Sequence, residues 1–162
     1  MTTDSIIYLL FIYLVVNIWT DIRTLKTKNV WHLVFGLLIL IVGIFNDMAT
    51  FMLVALIIIL LVGILLMNIP NVQLGAGDIK MLMVLSMYLQ FMKPTVAPFL
   101  IVLILVSVYM TLSFLIHTIL LLIKKRVKRE ISFLSYRVTK KMIITPEAIP
   151  ISLSVFVAIL FT

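Results

Sequence analysis

The stretch "QLGAGDIKML", from Gln73 to Leu82, interrupts a largely apolar chain with a Gly-Ala-Gly turn and an aspartate. Glycine clusters mark turns, so this stretch separates two apolar segments. Hydrophobic residues make up 64% of the 162 residues and charged residues 12%, whereas soluble domains have roughly 45–50% and 25%. The aspartate therefore lies where the chain enters an apolar environment, and a carboxylate in such a place needs an explanation.

Recurrent apolar stretches predict an all-α polytopic membrane protein: one domain, residues 1–162, built as a bundle of about six transmembrane helices. The first stretch has no basic start and no small-residue cleavage site, so we interpret it as a permanent helix. The chain has no cysteine, which excludes disulfides and thiolate zinc sites. The predicted segments are Ser5–Thr20, Trp31–Phe45, Thr50–Ile69, Ile79–Phe91, Val96–Ile123 and Met142–Phe161.

The distribution of basic residues predicts the orientation of these segments. When the breaks between them are assigned alternately to two sides, one side collects twelve of the 13 basic residues and the other only Lys93. Basic residues concentrate in cytoplasmic loops, so both termini should be extracytoplasmic, in a multi-pass protein of the cytoplasmic (inner) cell membrane. The basic segment Lys124–Lys141 should contact anionic lipids, and nucleic acid is not an expected partner.

Two of the six acidic residues, Asp21 and Asp78, lie at predicted cytoplasmic ends of helices. At about 1.5 Å per residue, Asp21 is roughly 24 Å from Ser5, and Asp78 is roughly 22 Å from Lys93. Because the hydrocarbon layer is about 30 Å thick, both carboxylates should lie just inside the membrane. Their depths are nearly equal, so the sequence predicts a facing pair.

The helical surroundings of the two aspartates differ. Asp21 shares one polar helix face with Asn17, Thr20 and Thr24, and such a face should point into the bundle. The neighbours of Asp78 at i+3 and i+4 are apolar, so we expect Asp78 to hold a shared proton more of the time. Two close carboxylates titrate as a unit. One can then activate water while the other, protonated, polarises a peptide carbonyl.

Each aspartate also has a purely structural interpretation. An aspartate after a glycine turn is a favoured N-cap, which would explain Asp78. Asp21 could pair at the membrane interface with Arg23, two residues along the chain. As a pair at matching depth, however, they favour a functional interpretation, because ionisable residues inside a membrane are expensive to keep.

Two motifs resemble those of the type IV prepilin peptidases, a family of intramembrane aspartyl proteases. "GAGDIK", Gly75–Lys80, resembles the family's Gly-x-Gly-Asp-x-Lys motif. "DIRTLKTKN", Asp21–Asn29, resembles its first motif, in which arginine and asparagine follow the aspartate at two and eight residues. The resemblance implies that Asp21 and Asp78 are the catalytic pair. It implies a supporting motif made of Gly75, Gly77, Lys80, Asn29 and Arg23.

The resemblance implies endoproteolysis at the cytoplasmic face, removing the short leader of a prepilin or pseudopilin in a type IV pilus or protein-secretion system. It implies no metal and no organic cofactor. The glycines would permit positive φ and close backbone approach. Thr27 and Lys28 replace the family's usual Ile-Pro, and the cysteine-rich N-terminal part of longer members is missing. The chain therefore resembles a minimal form, in which N-methyltransferase activity is not expected. The stretch "PEAIPIS", Pro146–Ser152, matches a proline-bearing C-terminal stretch only weakly.

Two other functions are open at this point. The aspartates could serve a proton- or cation-coupled transporter, although the broken helices and internal repeats of such proteins are not visible. The chain could also be a non-catalytic membrane subunit of a pilus or secretion system. Neither His-Glu-x-x-His nor Gly-x-Ser-x-Gly occurs. The two histidines, His32 and His117, are isolated in the sequence, and we interpret them as packed or interfacial side chains.

Overall fold

The computed structural model describes residues 3–24, 28–68, 74–126, 131–133, 136–138, 143–144 and 146–161. Gln73, the predicted segment ends Ile69 and Met142, and part of the basic segment Lys124–Lys141 lie outside these residues. The described chain forms six α-helices and three short β-strands. The helices are α1 (Thr3–Thr24), α2 (Asn29–Phe45), α3 (Ala49–Met67), α4 (Ala76–Met92), α5 (Pro98–Arg126) and α6 (Ala148–Phe161).

The helical class is confirmed, and the main difference from the prediction lies before α6. The strands β1 (Ile131–Phe133), β2 (Tyr136–Val138) and β3 (Ile143–Ile144) form an antiparallel sheet in the order β1-β2-β3. The predicted last segment began at Met142, but α6 begins only at Ala148. Two physical reasons account for this: isoleucine favours strands, and a residue that precedes a proline, here Pro146, is disfavoured in a helix.

Three of the described helices are long and apolar enough to cross a membrane, namely Ser5–Thr24, Ala49–Met67 and Pro98–Ile123. This indicates a membrane protein. Two further helices, α2 with 17 residues and α6 with 14, are apolar but shorter. The crossing of all six helices, and the placement of both termini, remain predictions.

Helix α4 lies at the centre of the bundle and packs against all five other helices. Its neighbours, rather than lipid, therefore cover most of its surface. Polar side chains are accordingly tolerated along it. The buried residues of α4 are Ile79, Met81, Leu82, Val84, Leu85, Ser86, Met87, Tyr88, Leu89 and Gln90.

The turn between α2 and α3 reverses the chain in three residues. The amide of Met48 donates to the Gly43 carbonyl at 2.8 Å, and the amide of Asp47 donates to the Ile44 carbonyl at 3.3 Å. These two bonds form a Schellman motif, in which the residue after the helix adopts the left-handed conformation. Asp47 does so with φ of 56°, which aspartate tolerates better than most residues. Asp47 is exposed and is a loop residue, as its position predicts.

Helix α3 packs closely against the start of α4 because Gly63 has no side chain. A Cβ at Gly63 would lie 2.8 Å from the Cγ2 atom of Ile79, closer than real Cβ atoms approach such groups. Ile79 is the residue directly after Asp78, so this contact fixes the beginning of α4 in the bundle. The packing of α3 therefore sets the height at which the Asp78 carboxylate lies.

Candidate active site

Asp21 lies in the last turn of α1 and is buried, with 5% of its surface exposed. Its Oδ2 atom accepts a hydrogen bond of 2.9 Å from the backbone amide of Ala148, the first residue of α6. The first amides of a helix have no partner within that helix, and they carry its partial positive charge. The start of α6 thus both binds the Asp21 carboxylate and stabilises its negative charge.

The suggested pairing of Asp21 with Arg23 is not what the structure contains. The Arg23 guanidinium lies over the Trp19 ring, 4.1 Å from its centroid, on an exposed face of α1. Residues two apart on a helix point in different directions, so a buried Asp21 and an exposed Arg23 follow from the helix itself. Arg23 therefore takes no observed part in the site.

The polar face of α1 is present, but its side chains bond to their own helix. The Asn17 amide donates to the Tyr13 carbonyl at 2.8 Å. The Thr20 hydroxyl lies 3.0 Å from the carbonyls of both Val16 and Asn17. Neither side chain is a donor to Asp21 in these contacts. The donor is instead a backbone amide from a helix 127 residues away in sequence.

Asp78 occupies the third position of α4 and closes its first turn. Its Oδ2 atom accepts a hydrogen bond of 2.8 Å from the Gly75 amide, while the Gly75 carbonyl accepts from the Asp78 amide at 3.1 Å. The N-cap is Gly75, so the expectation that Asp78 itself is the N-cap was wrong by three residues. The capping chemistry is nevertheless real, because an acidic side chain at this position bonds back to the cap.

The motif glycines do not adopt the positive φ that their sequence predicts. No glycine in the described chain has a positive φ, and φ at Gly75 is −85°. What Gly75 supplies is space, since a Cβ there would lie 3.1 Å from Oδ2 of Asp78. Gly77 lies in the first turn of α4 and is half-buried. Glycine at position 75 therefore allows the Asp78 carboxylate to fold back onto the backbone.

The structure brings Asp21 and Asp78 to the same end of the bundle. The Asp78 carboxylate lies within electrostatic range of the Glu147 and Asp21 carboxylates. Asp21 belongs to α1, Asp78 to α4, and Glu147 immediately precedes α6. Three acidic side chains from distant parts of the sequence thus share one region. Within the described residues, however, no three potential ligands are close enough together to hold a metal ion.

Glu147 is the residue that the sequence analysis missed. It is buried, and its Oε2 atom accepts hydrogen bonds from the Tyr109 hydroxyl at 3.1 Å and the Ser113 hydroxyl at 3.0 Å. Tyr109 also lies within electrostatic range of Asp78. A signal for this contact was present, because Tyr109 and Ser113 are four residues apart and form a polar face on apolar α5.

Two of the predicted supporting residues contact each other. The Lys80 ammonium donates to the Asn29 Oδ1 atom at 2.9 Å, which joins the first turn of α2 to that of α4. Both side chains are exposed. Since Lys80 follows Asp78 by two residues, its side chain leaves α4 on a different face. Asn29 and Lys80 therefore brace the end of the bundle that carries the aspartates, without pointing at them.

No protein-family model, no curated protein and no solved structure matches this chain. What the site can do chemically therefore follows from its own geometry. It holds two carboxylates, each with one backbone hydrogen bond that involves only its Oδ2 atom. The other oxygen of each carboxylate has no hydrogen-bond partner among the described residues, so it can exchange a proton with water or substrate.

Proposed function

We propose that this protein is an intramembrane aspartyl endopeptidase of the prepilin peptidase type, with Asp21 and Asp78 as its catalytic pair. The observation that carries the proposal is that these two carboxylates, from α1 and α4, lie within electrostatic range of each other at one end of an apolar helix bundle. Their motifs resemble both aspartate motifs of that family. The contact between Asn29 and Lys80, one residue from each motif, adds support.

In this mechanism the two carboxylates share one proton. The ionised carboxylate removes a proton from a water molecule, whose oxygen attacks the carbonyl carbon of the scissile peptide. The protonated carboxyl donates its proton to the carbonyl oxygen, giving a tetrahedral diol. When the C–N bond breaks, the leaving nitrogen takes up a proton from the first carboxyl, and the second carboxylate recovers the hydroxyl proton. Hydrolysis thus needs no metal and no organic cofactor.

The substrate in this proposal is a prepilin or pseudopilin, with a short hydrophilic leader followed by an apolar helix. All six helices cross the cytoplasmic membrane with both termini outside, and the aspartates lie near the cytoplasmic face. A substrate helix that lies in the same membrane then presents its leader junction at the depth of the pair. The products are the free leader and a membrane-embedded pilin with a new N-terminus.

Co-expression with a prepilin-like substrate tests the proposal, and leader removal is followed by gel shift. Asp21→Asn and Asp78→Asn preserve side-chain size but remove the shared proton and charge, so each variant should leave the precursor uncut. Asp47→Asn is the matched control, because Asp47 is exposed in the α2–α3 turn and asparagine also tolerates its left-handed backbone. This control should cut as the unmodified protein does.

The outcomes separate this function from its rivals. If both active-site variants insert normally and still cut, the aspartates are not catalytic and the proposal fails. If neither the unmodified protein nor any variant cuts a panel of prepilin-like substrates, a non-catalytic subunit is favoured instead. A transporter would be recognised by Asp-dependent proton or cation flux in proteoliposomes that contain no substrate protein.

A further inference from the structure

We propose that the groove between α2 and α4 binds one anionic phospholipid, with its phosphate at Lys80 and Asn29 and an acyl chain along the groove. This groove has a volume of about 510 Å³, and its lining includes Asn29, His32 and Lys80. Lys80 leaves α4 on a different face from Asp78, so the groove is separate from the aspartate site. The proposal does not depend on whether the chain is a peptidase.

The two ends of the groove differ in chemistry. Its polar lining residues all lie near the starts of α2 and α4. Further along, the wall is apolar and consists of side chains such as Leu37 and Leu40 from α2, and Met83 and Met87 from α4. A phospholipid has the same order of groups along its length: a charged phosphate, then polar esters, then hydrocarbon. The groove therefore matches the polarity profile of a lipid.

The polar end provides hydrogen-bond donors for a phosphate. Lys80 is exposed, and its ammonium uses one donor on Asn29 Oδ1 at 2.9 Å. An ammonium has three donors, and the Asn29 amide nitrogen adds two more, so the pair can bind several phosphate oxygens. A lysine near the membrane surface also attracts anionic lipid electrostatically. The charge of this end thus favours an anionic over a zwitterionic headgroup.

The environment of His32 indicates a specific ligand. The side chain is 5% exposed, and its Nδ1 atom is 2.7 Å from the Tyr13 hydroxyl. His32 lines the groove, and its Nε2 atom is buried in the groove wall without a partner among the described residues. When the Tyr13 hydroxyl donates to Nδ1, the ring hydrogen is on Nε2. A buried donor left unpaired is costly, which indicates that an acceptor binds there.

The depth of His32 suits a lipid ester. It follows Asn29 by three residues, which places it about 4.5 Å deeper along α2. The ester carbonyls of a phospholipid lie just below its phosphate, so an ester oxygen can accept from Nε2 while the phosphate remains at Lys80. A transmembrane helix would not serve, because its backbone carbonyls are already paired within the helix. A lipid has a free ester carbonyl and a transmembrane helix does not, so the proposed occupant is a lipid.

Native mass spectrometry of the purified full chain, titrated with lipids of equal chain length, tests the headgroup. We expect the unmodified protein to retain one phosphatidylglycerol in preference to phosphatidylcholine. Lys80→Gln should weaken phosphatidylglycerol binding about five-fold, the value of one surface lysine. Lys93→Gln is the matched control, since it removes the same charge at the opposite end of α4 and should change nothing. Equal retention of both lipids, or equal losses in both variants, would overturn the proposal.

A second measurement tests the ester contact and the location. The unmodified protein should bind ester-linked phosphatidylglycerol more tightly than its ether-linked analogue, which has no ester carbonyl. His32→Phe should abolish that difference, and a thermal melt establishes that the variant is folded. A diazirine on the acyl chain should cross-link to α2 and α4 near Leu37 and Met87. Cross-links confined to other helices, or displacement of the lipid by a helical substrate peptide, would reject the lipid site.

Discussion

The carboxylates at the aspartate end of the bundle are hydrogen-bonded, whereas several other buried polar groups are not. At the end, Asp21 and Asp78 each accept a hydrogen bond from a backbone amide, and Glu147 accepts two from side chains. By contrast, the described contacts leave the Asn17 Oδ1 atom, the His32 Nε2 atom and the Tyr88 hydroxyl without partners. Buried polar groups are nearly always paired, so the unpaired ones need an explanation.

The difference shows which polar groups the fold itself needs. Backbone amides at helix starts exist in any helical protein, so binding carboxylates to them adds rigidity at little cost. The Tyr88 hydroxyl and the His32 Nε2 atom have no such partner among the described residues. The protein's own donors therefore position the three carboxylates, whereas these two atoms are left without a donor or acceptor of the described chain. Substitutions among the paired carboxylates and among the unpaired groups can each test this comparison.

The largest effect should come from the aspartates as a unit. Asp21→Asn and Asp78→Asn should each lower the cleavage rate by about 10²–10⁴-fold, the usual contribution of general acid–base catalysis. The double variant should be no slower than the slower single variant, because residues that act together are not additive. Single-turnover cleavage in proteoliposomes measures all three. Multiplicative losses in the double variant would show that the two carboxylates act independently.

Glu147 should act as a positioning residue with a smaller effect. Glu147→Ala removes the acceptor for the Tyr109 and Ser113 hydroxyls, so the start of α6 loses its attachment to α5 and holds Asp21 less firmly. We expect about a ten-fold loss of cleavage and destabilisation of about 1–3 kcal/mol, the cost of unpaired buried groups. Glu147→Gln keeps an acceptor oxygen and should restore most of both. If glutamine is as damaging as alanine, the charge rather than the attachment matters.

Gly75→Ala tests the space around Asp78. The added Cβ would lie 3.1 Å from Oδ2 of Asp78, so the carboxylate must shift by a few tenths of an ångström. A shift of this size uses up most of the roughly 0.5 Å of displacement that catalytic geometry tolerates, so cleavage should slow only by about two- to three-fold. Ala76→Ser, at the adjacent exposed position, is the control and should leave the rate unchanged. An unaffected Gly75→Ala variant would mean that the carboxylate moves freely.

The sequence predicted five helices with small boundary errors because apolar runs are a local signal. It also predicted that Asp21 and Asp78 lie at one end, since depth follows from counting residues along a helix. It did not find Glu147, whose partners Tyr109 and Ser113 lie 38 and 34 residues away on another helix. The start of α6 was placed too early because Ile143 and Ile144 are apolar in either a strand or a helix. Contacts between helices, unlike depth, are not encoded in any single segment.

The smallest effect concerns two stacked tyrosines in the middle of the bundle. Tyr13 and Tyr88 are both fully buried, with ring centroids 6.4 Å apart, but only the Tyr13 hydroxyl has a partner, His32 Nδ1, among the described residues. Tyr13→Phe should destabilise the protein by about 1 kcal/mol, because it breaks that hydrogen bond and leaves the imidazole unpaired. Tyr88→Phe should be neutral or stabilising, since it removes a hydroxyl that was buried without a partner. Reversible unfolding in one detergent measures both, and equal losses would show that the Tyr88 hydroxyl also has a partner.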